Sequence, residues 1–190
     1  MVIDVAVTPE FAPFPKIARL RRDIVVTEKI DGTNAAVVVT DDAVYAQCRT
    51  RVITPQADNF GFALWVEQNG PALRDALGFG RHFGEWWGVG IQRGYGLRER
   101  RFSLFNVSKW RDSPFVLANA SIGLSVVPVL YEGPFSLENV DEAVAALTIG
   151  GSAAAPGFPK PEGVVVFHRA ANFMFKQTIE KDAEHKGVTP

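Results

Sequence analysis

Lys29 lies at the end of an apolar run, in the segment Thr27-Glu28-Lys29-Ile30-Asp31-Gly32-Thr33-Asn34. An unprotonated lysine amine can form a covalent intermediate with an electrophilic substrate. Residues i and i+2 of an extended segment share a face, so we expect Lys29 and Asp31 to face one cleft and Ile30 to face the core. The segment therefore predicts a covalent catalyst at Lys29. The alternative is a surface Lys–Asp pair beside a turn at Gly32.

Five more short motifs follow this segment, and each has a structural explanation when it is taken alone. They are Arg49-Thr50, Gly84-Glu85 before two tryptophans, Phe102-Ser103-Leu104-Phe105, Glu162-Gly163-Val164-Val165, and Lys176 on the last predicted strand. An arginine can be a surface ion-pair partner, a glutamate a strand-edge carboxylate, and a phenylalanine a core residue. The order of the motifs is more specific than any one of them.

In this order the six motifs resemble those of the covalent nucleotidyltransferase superfamily, which contains DNA ligases, RNA ligases and mRNA-capping enzymes. The resemblance runs from about Glu28 to Lys176. Within the superfamily the chain resembles the RNA ligase 2 branch most, a group that includes phage RNA-repair and trypanosome RNA-editing ligases. The features that indicate this branch are Thr33-Asn34, Gly90-Ile91-Gln92, and the tail from Lys176-Gln177-Thr178 to Glu184-His185-Lys186-Gly187.

The resemblance implies an ATP-dependent RNA ligase with Lys29 and Lys176 as catalytic residues. Lys29 would attack the α-phosphate of ATP, release pyrophosphate and become lysyl-AMP. AMP would then pass to an RNA 5′-phosphate, and a 3′-hydroxyl would displace it and seal the strand. Mg²⁺ or Mn²⁺ is the implied metal, with Glu162 as its ligand. Because the transfer concentrates negative charge on phosphate oxygens, cations and a metal ion are the expected electrostatic catalysts.

The resemblance also assigns nucleotide-binding residues within the motifs. They are Glu28, Phe105 and Val164 for adenine, Asn34, Arg49 and Glu85 for ribose and phosphate, and Asp31, Gly32 and Lys176. Phe105 would stack on one face of the base and Val164 would close the other by an apolar contact.

The last motif departs from the pattern of the branch, which has two lysines spaced Lys-x-Lys. Aligning Lys176 with the second lysine puts Met174 where the first is expected. A methionine cannot bind phosphate, so we expect Arg51 or Lys160 to replace the lysine, or one chemical step to be slow. Two alternatives stay open: DNA-ligase or capping chemistry in the same fold, and a nucleotide- or RNA-binding module with weakened catalysis.

Bulk composition excludes some classes of protein. The 20 Lys and Arg residues are balanced by 21 Asp and Glu residues, so the chain is not a strongly basic nucleic-acid-binding domain. Contacts with a phosphate backbone must use the local clusters Lys16–Arg22 and Arg93–Arg111, which would otherwise be solvated loops. The single cysteine, Cys48, excludes an intramolecular disulfide. The start lacks signal-peptide features and no apolar run reaches the ~20 residues of a membrane span, so we expect a cytoplasmic protein, in the host cytoplasm if its source is a phage.

Apolar runs predict eight strands, and three segments predict helices. The predicted strands are Ile24–Ile30, Ala35–Thr40, Ala43–Cys48, Phe83–Trp87, Phe102–Val107, Val126–Tyr131, Val164–His168 and Asn172–Lys176. The predicted helices are Asn59–Gln68, Pro71–Leu77 and Leu137–Leu147, the last with Ser136 as its N-cap. Asp41-Asp42 predicts a hairpin turn, and the Gly- and Pro-rich segment Gly150–Pro161 predicts a loop.

This mixture predicts an α+β fold. The resemblance implies two packed antiparallel sheets with flanking helices, the nucleotidyltransferase or ATP-grasp-like ligase adenylation fold, with ATP between the sheets and Lys29 at the floor of the cleft. Residues 1–190 fit a single adenylyltransferase domain. Members of the branch carry a further C-terminal domain that grips nucleic acid. Few residues follow Lys176, so we expect no such domain here, or a partner protein that replaces it when RNA ends are bound.

Overall fold

A computed structural model describes residues 10–180 and shows an α+β architecture. The strands of the described part are β1 (Asp23–Lys29), β2 (Thr33–Val39), β3 (Val44–Cys48), β4 (Val52–Ile53), β5 (Gly80–Gly88), β6 (Arg100–Leu104), β7 (Leu124–Val126), β8 (Val129–Pro134), β9 (Gly163–His168) and β10 (Phe173–Thr178). The α-helices are α1 (Phe62–Leu77), α2 (Val107–Trp110), α3 (Pro114–Ala118) and α4 (Leu137–Gly150). The tail motif at residues 184–187 lies outside the described residues.

The strands form two sheets. Sheet one has four strands in the order β10-β9-β1-β8, and sheet two has six in the order β4-β3-β2-β5-β6-β7. Neighbouring strands are antiparallel except β6 and β7, which are parallel. The predicted fold class is confirmed, with this one parallel pair as a departure from purely antiparallel sheets.

Each sheet packs one face on helices and turns the other face toward the second sheet. In β1, Ile24 and Val26 pack with Leu147 of α4, whereas Val25 belongs to a cluster with Trp87 of sheet two. Successive strand residues point to opposite faces, so a continuous apolar strand can serve both layers. The far face of sheet two packs in the same way on α1 and α3. The cluster that contains Val25 and Trp87 therefore joins the two inner faces by apolar contacts.

Helix α1 corrects the prediction of two helices separated at Pro71. It runs without a break from Phe62 to Leu77, with Pro71 inside it. A proline inside a helix costs about 3 kcal/mol. The buried residues of its inner face include Phe62, Val66, Leu73 and Leu77. Each large apolar side chain contributes about 1.5–3 kcal/mol when it is buried. Burial of the helix face on sheet two therefore outweighs the local cost of the proline.

The predicted strand Phe102–Val107 is shorter than expected. Strand β6 stops at Leu104, and Asn106 caps the short helix α2 by accepting a hydrogen bond from Lys109 N (3.2 Å). Asparagine favours such caps over strand interiors because its side chain competes for backbone donors. The chain therefore turns at Phe105 instead of extending the strand.

The predicted strand Val126–Tyr131 is divided between the two sheets. Strand β7 ends at Val126 in sheet two, and β8 begins at Val129 in sheet one. Pro128 between them has no backbone N–H for a strand ladder, and its carbonyl accepts a hydrogen bond from Glu28 N (3.0 Å). The proline therefore marks the crossing from one sheet to the other.

Other local predictions are confirmed. Ser136 Oγ caps α4 by accepting a hydrogen bond from Asn139 N (3.1 Å). The turn at Asp41-Asp42 joins β2 to β3, and Thr40 N donates to Ala43 O (2.9 Å) across it. Residues 151–162 form the predicted loop between α4 and β9.

Candidate active site

A cleft of ≈ 1120 Å³ opens between the facing surfaces of the two sheets. Seven of the eleven predicted site residues line it: Glu28, Lys29, Asn34, Arg49, Glu85, Phe105 and Lys176. The other four, Asp31, Gly32, Glu162 and Val164, are not among the lining residues. Sequence motifs separated by up to about 150 residues therefore converge on one concave site, the usual form of a small-molecule site.

Lys29 and Glu162 form an ion pair at the end of β1. Lys29 Nζ lies 2.6 Å from Glu162 Oε2, and the two side chains remain 25% and 18% exposed. Lys29 is opposite Gly163 in the ladder between β1 and β9, which places Glu162 beside the amine. A side chain at Gly163 would clash with the backbone of Gln177 in β10. The glycine thus lets three strands meet closely where the predicted nucleophile and the predicted metal ligand face each other.

Glu85 is a buried carboxylate on the facing sheet. Its oxygens accept hydrogen bonds from Asn34 Nδ2 (3.0 Å) and Gly32 N (3.2 Å). Burial raises the pKa of Glu85 to about 7, against the opposing effects of the Lys29 charge and these two hydrogen bonds. A Cβ at Gly32 would lie 2.5 Å from Trp86 O. Gly32 therefore does not line the cleft, but its lack of a side chain lets its N–H reach Glu85.

Glu28 contributes to the wall of the cleft, but its carboxylate is bonded to the loop after α4, and its role in holding adenine stays a prediction. The residue is 1% exposed, and its carboxylate accepts hydrogen bonds from Ser152 Oγ (2.6 Å) and Ala154 N (2.8 Å). Consecutive strand residues point to opposite faces, so the side chains of Glu28 and Lys29 leave β1 on opposite sides. Through these hydrogen bonds, Glu28 holds the loop that leads from α4 to Glu162.

Val164 lies on the face of β9 that is turned away from its predicted contact with the base. It is fully buried in the cluster with Ile24 and Val26 beside α4. Val165, which is opposite Thr27 on the cleft face of β1, lines the cleft. The prediction is therefore wrong by one residue, which in a strand reverses the direction of the side chain.

The expectation that Asp31 shares a cleft with Lys29 is wrong. Strand β1 ends at Lys29, so its alternation does not continue to Asp31. Asp31 Oδ2 accepts a hydrogen bond from Arg93 Nε (3.0 Å), and Asp31 N donates to Tyr95 Oη (2.8 Å). Burial raises the pKa of Tyr95 above its usual range, so its hydroxyl keeps its proton. Asp31 therefore anchors the turn after β1.

Arg49 and Lys176 bring positive charge into the cleft from opposite sheets. Met174, which shares the cleft face of β10 with Lys176, is 61% exposed and also lines the cleft. Neither Arg51 nor Lys160 is among the lining residues. The structure therefore offers neither of the two expected replacements for the motif lysine, and a thioether occupies that part of the wall.

The basic cluster Arg93–Arg111 is largely engaged within the chain. Arg93 contacts Asp31, Arg100 donates to backbone carbonyls, Arg101 pairs with Glu99, and Arg111 pairs with Glu132. Such pairs leave fewer charges for a phosphate backbone than the sequence suggested. Lys109 differs, because its amine lies over the Trp110 ring at 4.2 Å and the residue lines the cleft.

Two features are absent from residues 10–180. No group of three or more His, Cys, Asp and Glu side chains in that range is arranged to hold a metal ion. No helix in the same range has the length and apolar character needed to cross a membrane.

The RNA ligase family matches residues 22–178, which is most of the chain. The chain belongs to the RNA ligase family. This confirms the resemblance at the level of the family, and the six ordered motifs lie inside the matched range. No curated protein shows significant sequence similarity to this RNA ligase family member.

Solved structures of Naegleria gruberi RNA ligase have the same fold. A variant of that ligase with ATP and Mn has a TM-score of 0.60 at 22% identity, over 85% of this chain and 51% of that one. The same ligase with PPi has a TM-score of 0.58 at 22% identity, over 90% of this chain and 57% of that one. At these identities the likeness shows the fold alone. The chain spans about half the length of these ligase structures.

Sequence reasoning missed several residues that organise the site of this RNA ligase family member. They are Val165 on the cleft wall, Ser152 and Ala154 under Glu28, and Arg93 and Tyr95 on Asp31. Side chains alternate between the two faces of β9. With the register of β9 against β1, this alternation would have identified Val165 as the residue that faces the cleft. The other contacts join segments distant in the sequence and leave no local pattern.

Proposed function

We propose that this RNA ligase family member is the nucleotidyltransferase part of an ATP-dependent RNA ligase, with Lys29 as its nucleophile. The observation that carries the proposal is the contact between Nζ of Lys29, which lines the cleft between the sheets, and Oε2 of Glu162 beside it. A carboxylate 2.6 Å from an amine is close enough to accept its proton, which a nucleophilic amine must lose. The ATP- and Mn-bound Naegleria ligase structures support the choice of nucleotide and metal.

In the first step, the lone pair of Lys29 Nζ attacks the α-phosphorus of ATP. An N–P bond forms while the bond from the α-phosphorus to the bridging oxygen breaks, and pyrophosphate leaves with the electron pair. The amine gives up one proton before attack, for which Glu162 is the nearest acceptor, and a second to solvent as the bond forms. Arg49 and Lys176 would stabilise the negative charge that develops on the phosphate oxygens.

The residues present fit a divalent cation bound together with the nucleotide. Glu162 has a side chain that is partly exposed, and its charge is near enough to Glu85 to raise the pKa of that carboxyl. Mg²⁺ is commonly held by one or two carboxylates together with substrate phosphates and water, without an all-protein cage. A bound Mg²⁺ or Mn²⁺ would supply charge neutralisation at the phosphates.

The corrected geometry suggests how AMP would be oriented. Phe105 is 38% exposed and lines the cleft from sheet two, whereas Val165 lines it from sheet one. Adenine between an aromatic ring and an apolar side chain satisfies both of its faces. The Asn34–Glu85 pair offers hydrogen-bonding groups to a ribose.

In the second and third steps the AMP group activates and then leaves an RNA end. An oxygen of a 5′-phosphate attacks the lysyl-AMP phosphorus, the N–P bond breaks, and Lys29 recovers a proton. A 3′-hydroxyl then attacks the activated 5′-phosphate, loses its proton, and displaces AMP. The partner is thus RNA with 5′-phosphate and 3′-hydroxyl ends.

A second candidate is a nucleotide- or RNA-binding member with weakened catalysis. Met174 favours it, because an uncharged side chain occupies a position in the cleft where the resemblance predicts a phosphate-binding lysine. DNA-nick and capping chemistry have no such observation in their favour.

Incubation with α-labelled ATP or GTP and Mg²⁺ tests the proposal. We expect an AMP label that is stable to denaturation, absent with GTP, and lost in Lys29→Ala. Lys160→Ala is the matched control, because this exposed lysine does not line the cleft. Peptide mapping must place the adduct on Lys29. An adduct on Lys176, or no adduct with wild-type protein that still binds ATP, would contradict the proposal and support the weakened member.

A further inference from the structure

The cleft extends along β5, away from the space around Lys29. Its volume of ≈ 1120 Å³ exceeds the ~300–1,000 Å³ of usual small-molecule sites. Glu85, Phe83 and Arg81 are at alternate positions of β5 and therefore share its cleft face. At ~3.3 Å per residue, Phe83 and Arg81 lie roughly 7 Å and 13 Å beyond Glu85. The cleft thus has space beyond the length of one nucleotide.

Two phenylalanines in this outer part expose their rings. Phe79, in the connection between α1 and β5, is 66% exposed, and Phe83 is 53% exposed. Phe79 packs on the guanidinium of Arg74, 5.9 Å from the ring centroid, while Phe83 O accepts a hydrogen bond from Phe105 N (3.0 Å). The contact with Arg74 orients the Phe79 ring, and the strand ladder holds the backbone that carries Phe83. Exposed aromatic faces of this kind provide stacking platforms for nucleic acid bases.

Positive charge dominates the same surface. The Lys and Arg residues that line the cleft are Lys29, Arg49, Arg81, Lys109 and Lys176, and its acidic residues are Glu28 and Glu85, both buried. Arg81 lies between the two phenylalanines in the sequence, and none of the ion pairs within residues 10–180 includes it. Lys109 flanks the outer part from α2. Cations interleaved with aromatic rings match a backbone of phosphates that carries unpaired bases.

We propose that Phe79, Arg81, Phe83 and Lys109 bind a single-stranded segment of the RNA whose end reacts in the cleft. We call these four residues the outer surface. Phe79 and Phe83 stack on unpaired bases, and Arg81 and Lys109 contact the phosphates between them. This inference rests on the proposed function for the identity of the polymer, and it adds the substrate class and the residues that select it.

The chemistry of the outer surface favours single strands over duplexes. Bases in an RNA helix are stacked on each other and their faces are not available to a side chain, whereas unpaired bases can stack on aromatic rings. The surface also continues directly from Glu85 into the nucleotide site along one strand of the sheet. An RNA end positioned by the outer surface is therefore directed toward Lys29.

Direct RNA binding tests the proposal without ATP. The probe is a fluorescein-labelled, 5′-phosphorylated 12-nucleotide single strand of mixed sequence, compared with the same sequence as a blunt duplex, by fluorescence anisotropy. Loss of one stacking ring should weaken single-strand binding ~5- to 100-fold in Phe83→Ala and in Phe79→Ala. Phe115→Ala is the matched control, because Phe115 is 61% exposed on α3, on the far side of sheet two. We expect less than a twofold effect there.

The electrostatic contact has its own measurement. In Arg81→Ser the slope of log K against log salt should fall by about 0.7, the value for one phosphate of a single strand. Arg98→Ser, at an exposed arginine in the connection after the opposite end of β5, should leave the slope unchanged. Equal effects of the target and control variants, equal affinity for the duplex, or concentration-dependent self-association in place of RNA binding would overturn the proposal.

Adenylylation measured on the same samples separates this inference from the proposed function. The outer-surface variants should take the AMP label within twofold of wild type, with unchanged thermal midpoints, while their sealing of single strands falls with the affinity. A wild-type protein that binds RNA through these residues but takes no label would contradict the ligase proposal alone. If wild type and Phe83→Ala both take the label and seal RNA equally well, the proposed role of the outer surface alone is contradicted.

Discussion

At the end of β1, Glu162 lies beside Lys29 with both side chains partly exposed, whereas Glu28, on the other face of that strand, is enclosed by backbone and loop. Glu162 has the partly exposed amine of Lys29 as its neighbour, a contact that a substrate or metal ion can displace. The Glu28 carboxylate instead accepts hydrogen bonds from two fixed donors in the loop after α4. The Glu162 carboxylate can therefore exchange its partner for a ligand, whereas the Glu28 carboxylate keeps its hydrogen bonds.

This difference shows how one strand end can serve chemistry and architecture together. Glu28 and Lys29 are consecutive, so fixing the first on the loop also fixes the direction of the second. The same loop continues to Glu162, which meets Lys29 from the other side. We therefore expect substitutions on the cleft face to change catalysis with little change in stability, and substitutions on the α4 face to change both.

Among the substitutions that compare the two carboxylates and their surroundings, Glu162→Ala should have the largest effect on catalysis. Loss of the carboxylate removes the nearest proton acceptor of Lys29 and the proposed metal ligand, so adenylylation should fall ~100- to 1,000-fold. The ion pair is partly exposed, so the free energy of unfolding should change by less than about 1 kcal/mol. The two quantities are measured by single-turnover labelling across a Mg²⁺ titration and by urea unfolding. Normal labelling at every Mg²⁺ concentration would remove Glu162 from the site.

Glu28→Ala should lower the free energy of unfolding more than Glu162→Ala does, and should affect adenylylation less directly. It leaves the Ser152 hydroxyl and the Ala154 N–H without their acceptor in a buried setting, which should lower the free energy of unfolding by about 3–4 kcal/mol. Labelling should decline as well, because the loop no longer holds Glu162. Ser152→Ala, which removes one of the two donors, should give a smaller loss. A Glu28→Ala protein as stable as wild type would show that the two faces do not differ in this way.

The pH dependence of Glu85 gives a third test, on the facing sheet. Its pKa is raised from 4.5 to about 7 in the folded state, so between these values the folded protein binds more protons than the unfolded one. Stability contributed by Glu85 therefore falls as pH rises through this window. Glu85→Gln cannot ionise, so its free energy of unfolding relative to wild type should increase by about 2–3 kcal/mol from pH 5 to pH 8. Asn34→Ala, with Glu85 retained, should keep the wild-type direction of this dependence. A difference that does not vary with pH would contradict the raised pKa.

The sequence was sufficient for the fold class and for the convergence of motifs, because both depend on apolar patterning and on motif order. It was not sufficient for the direction of individual side chains. Val164 and Val165 are both apolar, and only the register of β9 against β1 decides which one faces the cleft. The expectation for Asp31 was wrong for a related reason. Side chains alternate between two faces only within a strand, and β1 ends at Lys29.

Tertiary contacts decided the remaining differences. Pro71 stays inside α1 because the packing of that helix on sheet two is worth more than one lost hydrogen bond. Ser152 is 124 residues from Glu28 in the sequence, so no local pattern could connect them. The predicted single domain, the roles of the site residues and the cytoplasmic location stay predictions.

Met174→Lys should have the smallest effect. It compares two positions on the cleft face of β10, one with a cation and one without. Met174 is 61% exposed, so a lysine at this position should fit without repacking and change stability by less than about 0.5 kcal/mol. Its amine would join Lys176 on the same face of β10, two residues away, and add a second cation beside the phosphates. If the missing charge limits the rate, adenylylation or transfer of AMP should rise by up to about tenfold, with the larger gain at low salt because the new contact is electrostatic.

Phe173→Lys is the matched control for this prediction. Phe173 is 60% exposed on the other face of β10, where an added charge should not change the rate. Pre-steady-state labelling and single-turnover sealing measure the two steps separately. Equal gains in both variants would indicate a general effect of net charge, and a fall in rate in Met174→Lys alone would show that the thioether itself is required in the cleft.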